Sequence, residues 1–298
     1  MAGIRQIGED ELEPFVAVIQ AVFPREDATA DGFVDWRRQA EDMAWFLGDD
    51  AAALVLTGWH TPPGHAIGAV AVLPERRGRG SGDELLAAIE SWARDRRSTQ
   101  LEGGIAEDDE TSIAWATARG FAEVGRNSRM VLDLTAIDAP AVTPPPGIEI
   151  VAWADRPGLD RGLWEVAREA GPDIPGEEDT DAGPFEEWLD RDMRGIGDDP
   201  AAVFVALEGG EVLGYAKLAF NPENAERAYH DLTGVRRAHR GRGIAAALKA
   251  TQIAWAKEHG YGSLQTSNEV RNEPIRHLNA KHGYRLEPGN AIFRRPIG

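Results

Sequence analysis

Apolar and polar positions in the C-terminal half switch between two periods. Ile148-Glu149-Ile150-Val151 reads as a short strand by alternation and β-branching. Helices are predicted around 158–169 and 184–194. Ala201–Leu207 and Val212–Phe220 are apolar runs separated by Glu208-Gly209-Gly210-Glu211, a hairpin signal in which glycine supplies positive φ. Ala228–Val235 is predicted as a third strand. A helix over about 243–259 follows, with Ile244, Ala247, Leu248, Thr251 and Trp255 on one face and Gly260 and Gly262 as its stop. Ser263–Ser267 is the next strand; Asn272 can cap a short helix that Gly283 ends. Tyr284–Leu286 and Ala291–Arg295 complete the set as two final strands. The N-terminal half repeats the scheme, with Leu85, Ile89 and Trp92 inward and Gly120 as helix stop. The expected class is α/β, a mixed sheet with helices on both faces.

The repetition is literal. Arg77-Gly78-Arg79-Gly80 returns as Arg240-Gly241-Arg242-Gly243, Trp92-Ala93 as Trp255-Ala256, Gly120-Phe121 as Gly283-Tyr284 and Val72 as Val235, all at an offset of 163 residues. A further likeness, Gly48-Asp49-Asp50-Ala51-Ala52 against Gly197-Asp198-Asp199-Pro200-Ala201-Ala202, has an offset of 149. It implies that the second half holds 14 extra residues before its glycine loop, so that the first half lacks one hairpin element. The segment 139–146 includes Pro144-Pro145-Pro146, which fits neither a helix nor a central strand. It is expected to be a stiff linker between domains at 1–138 and 147–298.

Composition narrows the chemistry. The 298 residues contain no cysteine, which excludes thiolate catalysis, disulfides and cysteine-ligated zinc. The seven histidines show no metal-binding spacing, and no metal is expected. The net charge of −18 argues against nucleic-acid binding; it reads first as solubility, and alternatively as a field that attracts cationic substrates such as amines. No apolar run is long enough for a membrane helix and no secretory signal opens the chain, so a cytoplasmic monomer or homodimer is expected.

The glycine loops carry the chemistry. In each half a strand feeds a glycine-rich turn that opens a helix: Arg77-Gly78-Arg79-Gly80-Ser81-Gly82 and Arg240-Gly241-Arg242-Gly243-Ile244-Ala245. Glycine lets the backbone turn tightly, and the helix start offers unpaired N–H groups and a positive dipole end, an anion site suited to a diphosphate. The arginines are expected to add charge on the same side. There is no Walker lysine and no Gly-x-Ser-x-Gly elbow.

With this loop, its flanking elements and the Gly-Phe or Gly-Tyr ending, each half resembles the GNAT superfamily of N-acetyltransferases, whose signature is Gln/Arg-x-x-Gly-x-Gly/Ala. The resemblance implies two tandem GNAT-like domains, each a mixed, mostly antiparallel twisted sheet with splayed central strands. It implies acetyl-CoA as cosubstrate, its diphosphate on the loop and its arm between the strands Tyr229–Val235 and Ser263–Ser267. The acyl carbonyl would meet a backbone N–H near Val235, and a primary amine of a small molecule would attack directly. Members often read Asn-x-x-Ala-x-x-x-Tyr-x-x-x-Gly-Phe at the helix that supplies an acid; here Asn279 stands at the tyrosine position, as does Ala116 in the first half. Asparagine cannot donate a proton as an acid. Thr266, Asn268, Asn272 and Asn279 resemble a Thr-x-Asn…Asn…Asn subgroup of tandem members.

The second half is expected to be the catalytic one. Alternation would put Asp231, Thr233 and Val235 on one strand face, with Asp231 the candidate base, a structural carboxylate being the competing reading. His230 would point the other way. The first-half strand Ala66–Leu73 has no ionisable side chain, so that half is read as degenerate, its CoA binding left open. Trp36, Trp45, Trp164 and Trp188 are expected on helices bordering the acceptor site, or simply in the core. Two other functions compete. One is a non-catalytic acyl-CoA-binding or regulatory protein, favoured by the missing tyrosine. The other is a dinucleotide-binding oxidoreductase, because Gly241-Arg-Gly243-Ile-Ala-Ala246 also fits Gly-x-Gly-x-x-Ala.

Overall fold

The computed structural model describes residues 3–25, 27–58, 61–175, 181–221, 224 and 226–298. The chain divides into two compact units: Met1–Gly125 with Asn290–Gly298, and Arg126–Gly289.

Unit 1 contains β1 (Arg5–Ile7), α1 (Leu12–Val22), α2 (Ala30–Gln39), β2 (Ala40–Leu47), β3 (Ala51–Gly58), β4 (His65–Val72), α3 (Ser81–Asp95), β5 (Gln100–Ala106) and α4 (Glu110–Thr117). The strand β6 (Ala122–Asp133) follows. Unit 2 continues with β7 (Glu149–Ala152), α5 (Asp160–Ala170), α6 (Phe185–Met193), β8 (Asp198–Glu208), β9 (Glu211–Phe220), β10 (Arg227–Val235), α7 (Ile244–Glu258), β11 (Ser263–Glu269) and α8 (Glu273–Lys281). The last strand is β12 (Arg285–Pro296), one element where two strands were expected.

Among the described residues the sheet of unit 1 has the order β1-β2-β3-β4-β5-β12 and that of unit 2 the order β6-β11-β10-β9-β8-β7. In each, a single neighbouring pair is parallel, β4 with β5 and β10 with β11; the other pairs given a register are antiparallel. A doubly wound parallel sheet, which the dinucleotide reading requires, is absent from both described sheets.

Two expectations are corrected. The units do not divide at the proline-rich segment 139–146. Residues 127–133 pair with β11 and close the sheet of unit 2, whereas residues 290–296 pair with β5 and close that of unit 1. Each repeat therefore lends its final strand to the other repeat's sheet. Nor has the first half lost a hairpin. Ala51 pairs with Val72 and Gly214 with Val235, both at the 163 offset, so β2 and β3 match β8 and β9 strand for strand. The Gly-Asp-Asp likeness was coincidental: Gly48 lies in the β2–β3 turn, whereas Asp198 begins β8.

Strand alternation sorts side chains to the two faces of the unit 2 sheet. Val203, Val205, Leu207 and Tyr215 pack with Leu163 and Val166 of α5 and Trp188 of α6. Phe204, Ala206, Leu213 and Ala216 pack with Ile244 and Leu248 of α7. The α7 core is broader than the single face expected: Lys249, Gln252, Ile253 and Ala256 are buried too. Trp45 lies on β2 rather than on a helix, and is buried. No helix among the described residues is long and apolar enough to cross a membrane.

Candidate active site

A short 3-10 turn, Arg237–His239, links β10 to the glycine loop of unit 2, which runs from Arg240 into α7. Gly241 (φ 76°) and Gly243 (φ 85°) are left-handed, a conformation costly for any residue with a Cβ. A Cβ on Gly241 would meet nothing within 4 Å, so conformation and not crowding requires glycine there. Gly243 precedes Ile244 and no side chain caps the helix. The first intrahelical bond runs from Ala247 N to Gly243 O at 3.1 Å, which leaves the amides of Ile244, Ala245 and Ala246 without helical acceptors. The turn and the helix start together form a concave set of donors suited to a diphosphate.

The arginines do not add free positive charge as expected. Arg240 donates from Nε to Val235 O (2.9 Å) and pairs with Asp173 (2.7 Å). Arg237 also pairs with Asp173 (2.7 Å), Arg236 with Glu165 (2.5 Å) and Arg242 with Glu208 (2.6 Å). Two guanidiniums hold the Asp173 carboxyl down at about 2, with the Arg237 hydrogen bond the main cause. Arg240 thus clamps the loop to the end of its strand, as Arg77 does with Val72 O (3.3 Å).

β10 and β11 pair in parallel only over Arg227–Tyr229 and Ser263–Gln265, then part. Just there β10 slips by one residue against β9, between His230 and Thr233. A bulge inserts an unpaired residue and re-aims its neighbours. Here Asp231 pairs with Lys217 on the α5–α6 side, and the next residue, Leu232, also packs on that side, with Leu163 and Trp188. Gly234 faces Val166 and Ala170, so Thr233 and Val235 face α7. The expectation that Asp231 shares a face with Thr233 and Val235 is therefore corrected, because strict alternation fails at the bulge. The backbone groups released from the ladder lie at Asp231 and Leu232, upstream of Val235, which packs against Ile244 and Leu248.

Asp231 is half-exposed and 2.8 Å from Lys217, itself buried and 2.8 Å from Asp198. Lys217 also donates to Asp192 O (2.5 Å), which uses all three of its N–H groups. Burial opposes the ammonium charge, but Asp231 and Asp198 outweigh it and hold Lys217 above its ordinary pKa. Lys217 fixes Asp231 in place. Sequence reading missed it; the first lysine of the chain, in an otherwise apolar strand, was the available signal.

Three of the four Thr/Asn candidates meet. Asn279, fully buried, donates from Nδ2 to Asn268 Oδ1 (3.0 Å), which also faces Thr266 Oγ1 at 3.5 Å. Asn279 Oδ1 is buried without a partner. Asn272 stands apart at the start of α8 and makes no side-chain cap.

A second polar group, not foreseen, lies behind β10. His230 Nδ1 is 3.0 Å from Gln252 Oε1, and His230 Nε2 bonds the hydroxyl of Tyr284. An amide oxygen at Nδ1 makes that nitrogen the protonated one, so Tyr284 donates to Nε2. Burial holds His230 well below its ordinary pKa and pushes Tyr284 up. Lys249, 1% exposed, stands 5.8 Å from the Tyr284 ring centroid with no carboxylate partner among the described residues, and burial brings its pKa from 10.5 to about 7.

Unit 1 repeats the backbone and not the chemistry. Gly78 (φ 76°) and Gly80 (φ 94°) reproduce the turn, and Ser81 and Gly82 open α3. But Asp83 and Glu84 occupy the first helical turn, whereas α7 has no acidic residue there. Trp115 lies 3.3 Å from where a Cβ on Gly82 would be. β4 keeps its register with β3 without a bulge. A Cβ on Gly103, the counterpart of Thr266, would sit 2.6 Å from Gly68 O, so β4 and β5 run closer than strands carrying a threonine there could. Among the described residues no cluster of metal-binding side chains occurs.

A profile of the Acetyltransferase (GNAT) family matches residues 4–121 and again 161–284. Mycothiol acetyltransferase of Thermomonospora curvata is 27% identical over 237 residues, covering 78% of this chain and 74% of that protein. A GCN5-related N-acetyltransferase from Sphaerobacter thermophilus superposes with a TM-score of 0.76 at 22% identity, over 99% of this chain and 95% of its own. A tandem GNAT protein from the clavulanic acid biosynthesis pathway does so with a TM-score of 0.76 at 19% identity, over 99% and 98%.

Proposed function

Because this chain belongs to the GNAT acetyltransferase family, we propose that unit 2 transfers an acetyl group from acetyl-CoA to a primary amine of a small molecule. The observation that carries this reading is the conjunction of an uncapped, left-handed glycine turn with the parting of β10 and β11 beside a bulge. A diphosphate fits the turn because the amides there lack partners, and a slender acyl-bearing arm fits between strands that have separated. Bound acetyl-CoA would supply the activated acyl thioester.

The chain's own residues divide the remaining work. The amides from Gly241 to Ala245 anchor the cosubstrate. The bulge offers an N–H near Asp231 and Leu232 to an acyl oxygen. Asp231, held by Lys217, attracts the acceptor's ammonium and takes up its proton, so that the neutral amine attacks. Thr266, Asn268 and Asn279 orient polar groups on the opposite wall. The acceptor class follows from Asp231 and the acidic chain, and the relative named mycothiol acetyltransferase supports acetyl transfer.

The experiment is calorimetry with acetyl-CoA, followed by thiol release across a panel of primary amines. Gly243→Val should abolish binding heat and turnover, whereas Gly80→Val should leave turnover within about twofold. Heat without amine-dependent thiol release would establish the non-catalytic CoA-binding alternative instead. Loss of turnover in Gly80→Val, with the fold preserved, would reassign the active unit.

A further inference from the structure

α7 runs alongside β10 in a direction that can be read from its contacts. Its start, Ile244 and Leu248, packs on Val235, and its end, Ile253 and Ala256, shares a cluster with Ala228. Lys249 and Gln252 therefore lie level with His230 and the bulge, where β10 and β11 part. Asn279, at the position where an acid was expected, comes from α8 beside the same place.

The Lys249 ammonium is faced by His230 of β10, His282 at the end of α8 and the Tyr284 ring. None is negative: burial keeps His230 neutral, burial and then Lys249 itself push His282 down, and Tyr284 stays protonated. A buried cation with no counter-ion is expensive and is ordinarily replaced or neutralised. The N-terminal repeat shows that the fold does not need it. At the 163 offset Lys249 becomes Leu86, Gln252 becomes Ile89, Tyr284 becomes Phe121 and Asn279 becomes Ala116; Leu86, Ile89 and Ala116 are buried. β4 and β5 also stop pairing after three residues, so the polar set is confined to the unit that carries the bulge.

We infer that Lys249 is the missing acid of unit 2, a buried ammonium kept without a counter-ion among the described residues so that it meets the sulfur anion released from the thioester. This rests on acetyl-CoA use by unit 2. When the carbon–sulfur bond breaks, sulfur keeps the electron pair and takes a proton from Lys249 Nζ. The lysine is left neutral and is reprotonated from solvent. The acceptor nitrogen loses two protons: the ammonium's goes to Asp231 before attack and on to solvent, and the second goes to Asp231 as the tetrahedral adduct collapses. The step yields amide and free thiol with charge conserved.

The test reads the thiol rather than turnover alone. Free CoA, bound to the full-length protein, is titrated by the ultraviolet absorbance of its thiolate, with desulfo-CoA as blank. In the wild-type complex the thiol should ionise at least about one pH unit lower than in solution, because a thiolate supplies the counter-ion that Lys249 lacks: the two titrate as a coupled pair, and the ammonium keeps beside the anion the proton that it loses above pH 7 in the CoA-free protein. In Lys249→Met the shift should vanish, kcat should fall about 100-fold, and the KM for acetyl-CoA should move less than about threefold. If bound thiol titrates as it does in solution in the wild-type complex, the assignment is overturned whether or not the variant folds. Absence of any calorimetric heat with CoA would instead remove the acetyl-CoA reading, and this one with it.

Discussion

Replacing Lys249 by methionine should stabilise the protein, by an amount that depends on pH in a particular way. Methionine keeps the length of the side chain and fills the same space without a charge. Burial brings the lysine from an ordinary pKa of 10.5 to about 7 in the folded state. At about 1.4 kcal/mol for each pH decade, the folded state carries a penalty on the order of 5 kcal/mol wherever the ammonium is charged in both states. The sign follows from proton counting. Between pH 7 and 10.5 the unfolded chain binds the proton and the folded chain has lost it, so wild-type stability from this group rises with pH. Above 10.5 both states are neutral and the penalty is gone; below 7 it is present in full.

The gain in Lys249→Met should therefore be largest at pH 7 and shrink toward zero near pH 10.5. Local relaxation lowers the upper figure, and about 2–5 kcal/mol at pH 7 is the expected range. His230 and His282 are both held below 6.5, so a window from pH 7 to 10 isolates the lysine. Urea unfolding of both proteins at pH 7, 8, 9 and 10 measures the difference. A variant less stable than wild type by the same amount at every pH would refute the reasoning, because it would mean that Lys249 contributes packing and carries no buried charge.

Other substitutions probe the rest of the site. Asp231→Asn should lower kcat/KM for the amine about 10- to 100-fold with CoA affinity unchanged in calorimetry, since the side chain lies on the α5–α6 side and away from the glycine loop. Asp173→Ala should tighten CoA binding several-fold at low salt, because it frees Arg237 and Arg240 for a diphosphate; unchanged affinity would show that these guanidiniums never approach it. Gly103→Ala should cost about 1–3 kcal/mol in thermal unfolding, as its Cβ would meet Gly68 O at 2.6 Å.

Much of this architecture was legible because its signals are local. The offset of 163, the double glycine loop and the alternating runs each fix an element through its own residues, and the pairs Ala51–Val72 and Gly214–Val235 follow that offset in space. Three features were not legible for physical reasons. A bulge adds one residue without changing composition: the offset is 162 where Ala66 faces Leu101 and Ala228 faces Leu264, and 163 only beyond His230. The exchange of final strands is a choice of partner made across the chain, which no local pattern records. The buried role of Lys249 was hidden because helical periodicity assigns a lysine to solvent unless a second buried face is known.

The two repeats also show which part of the site depends on backbone and which on side chains. Both loops keep two left-handed glycines, so an anion cradle of amides exists twice. In unit 1, however, two carboxylates stand in the first turn of α3, Trp115 crowds Gly82, and the strands stay close at Gly68 and Gly103. Each difference works against an extended anionic cosubstrate: by repulsion at the helix start, by bulk at the loop, and by width between strands. In unit 2 the same three positions hold Ala246 and Ala247, Ala245, and Thr266, and the bulge presents Asp231. A backbone motif shared by both units cannot by itself distinguish a working cleft from a silent one. The distinction lies in a one-residue insertion in β10, with a small set of buried polar groups placed level with it.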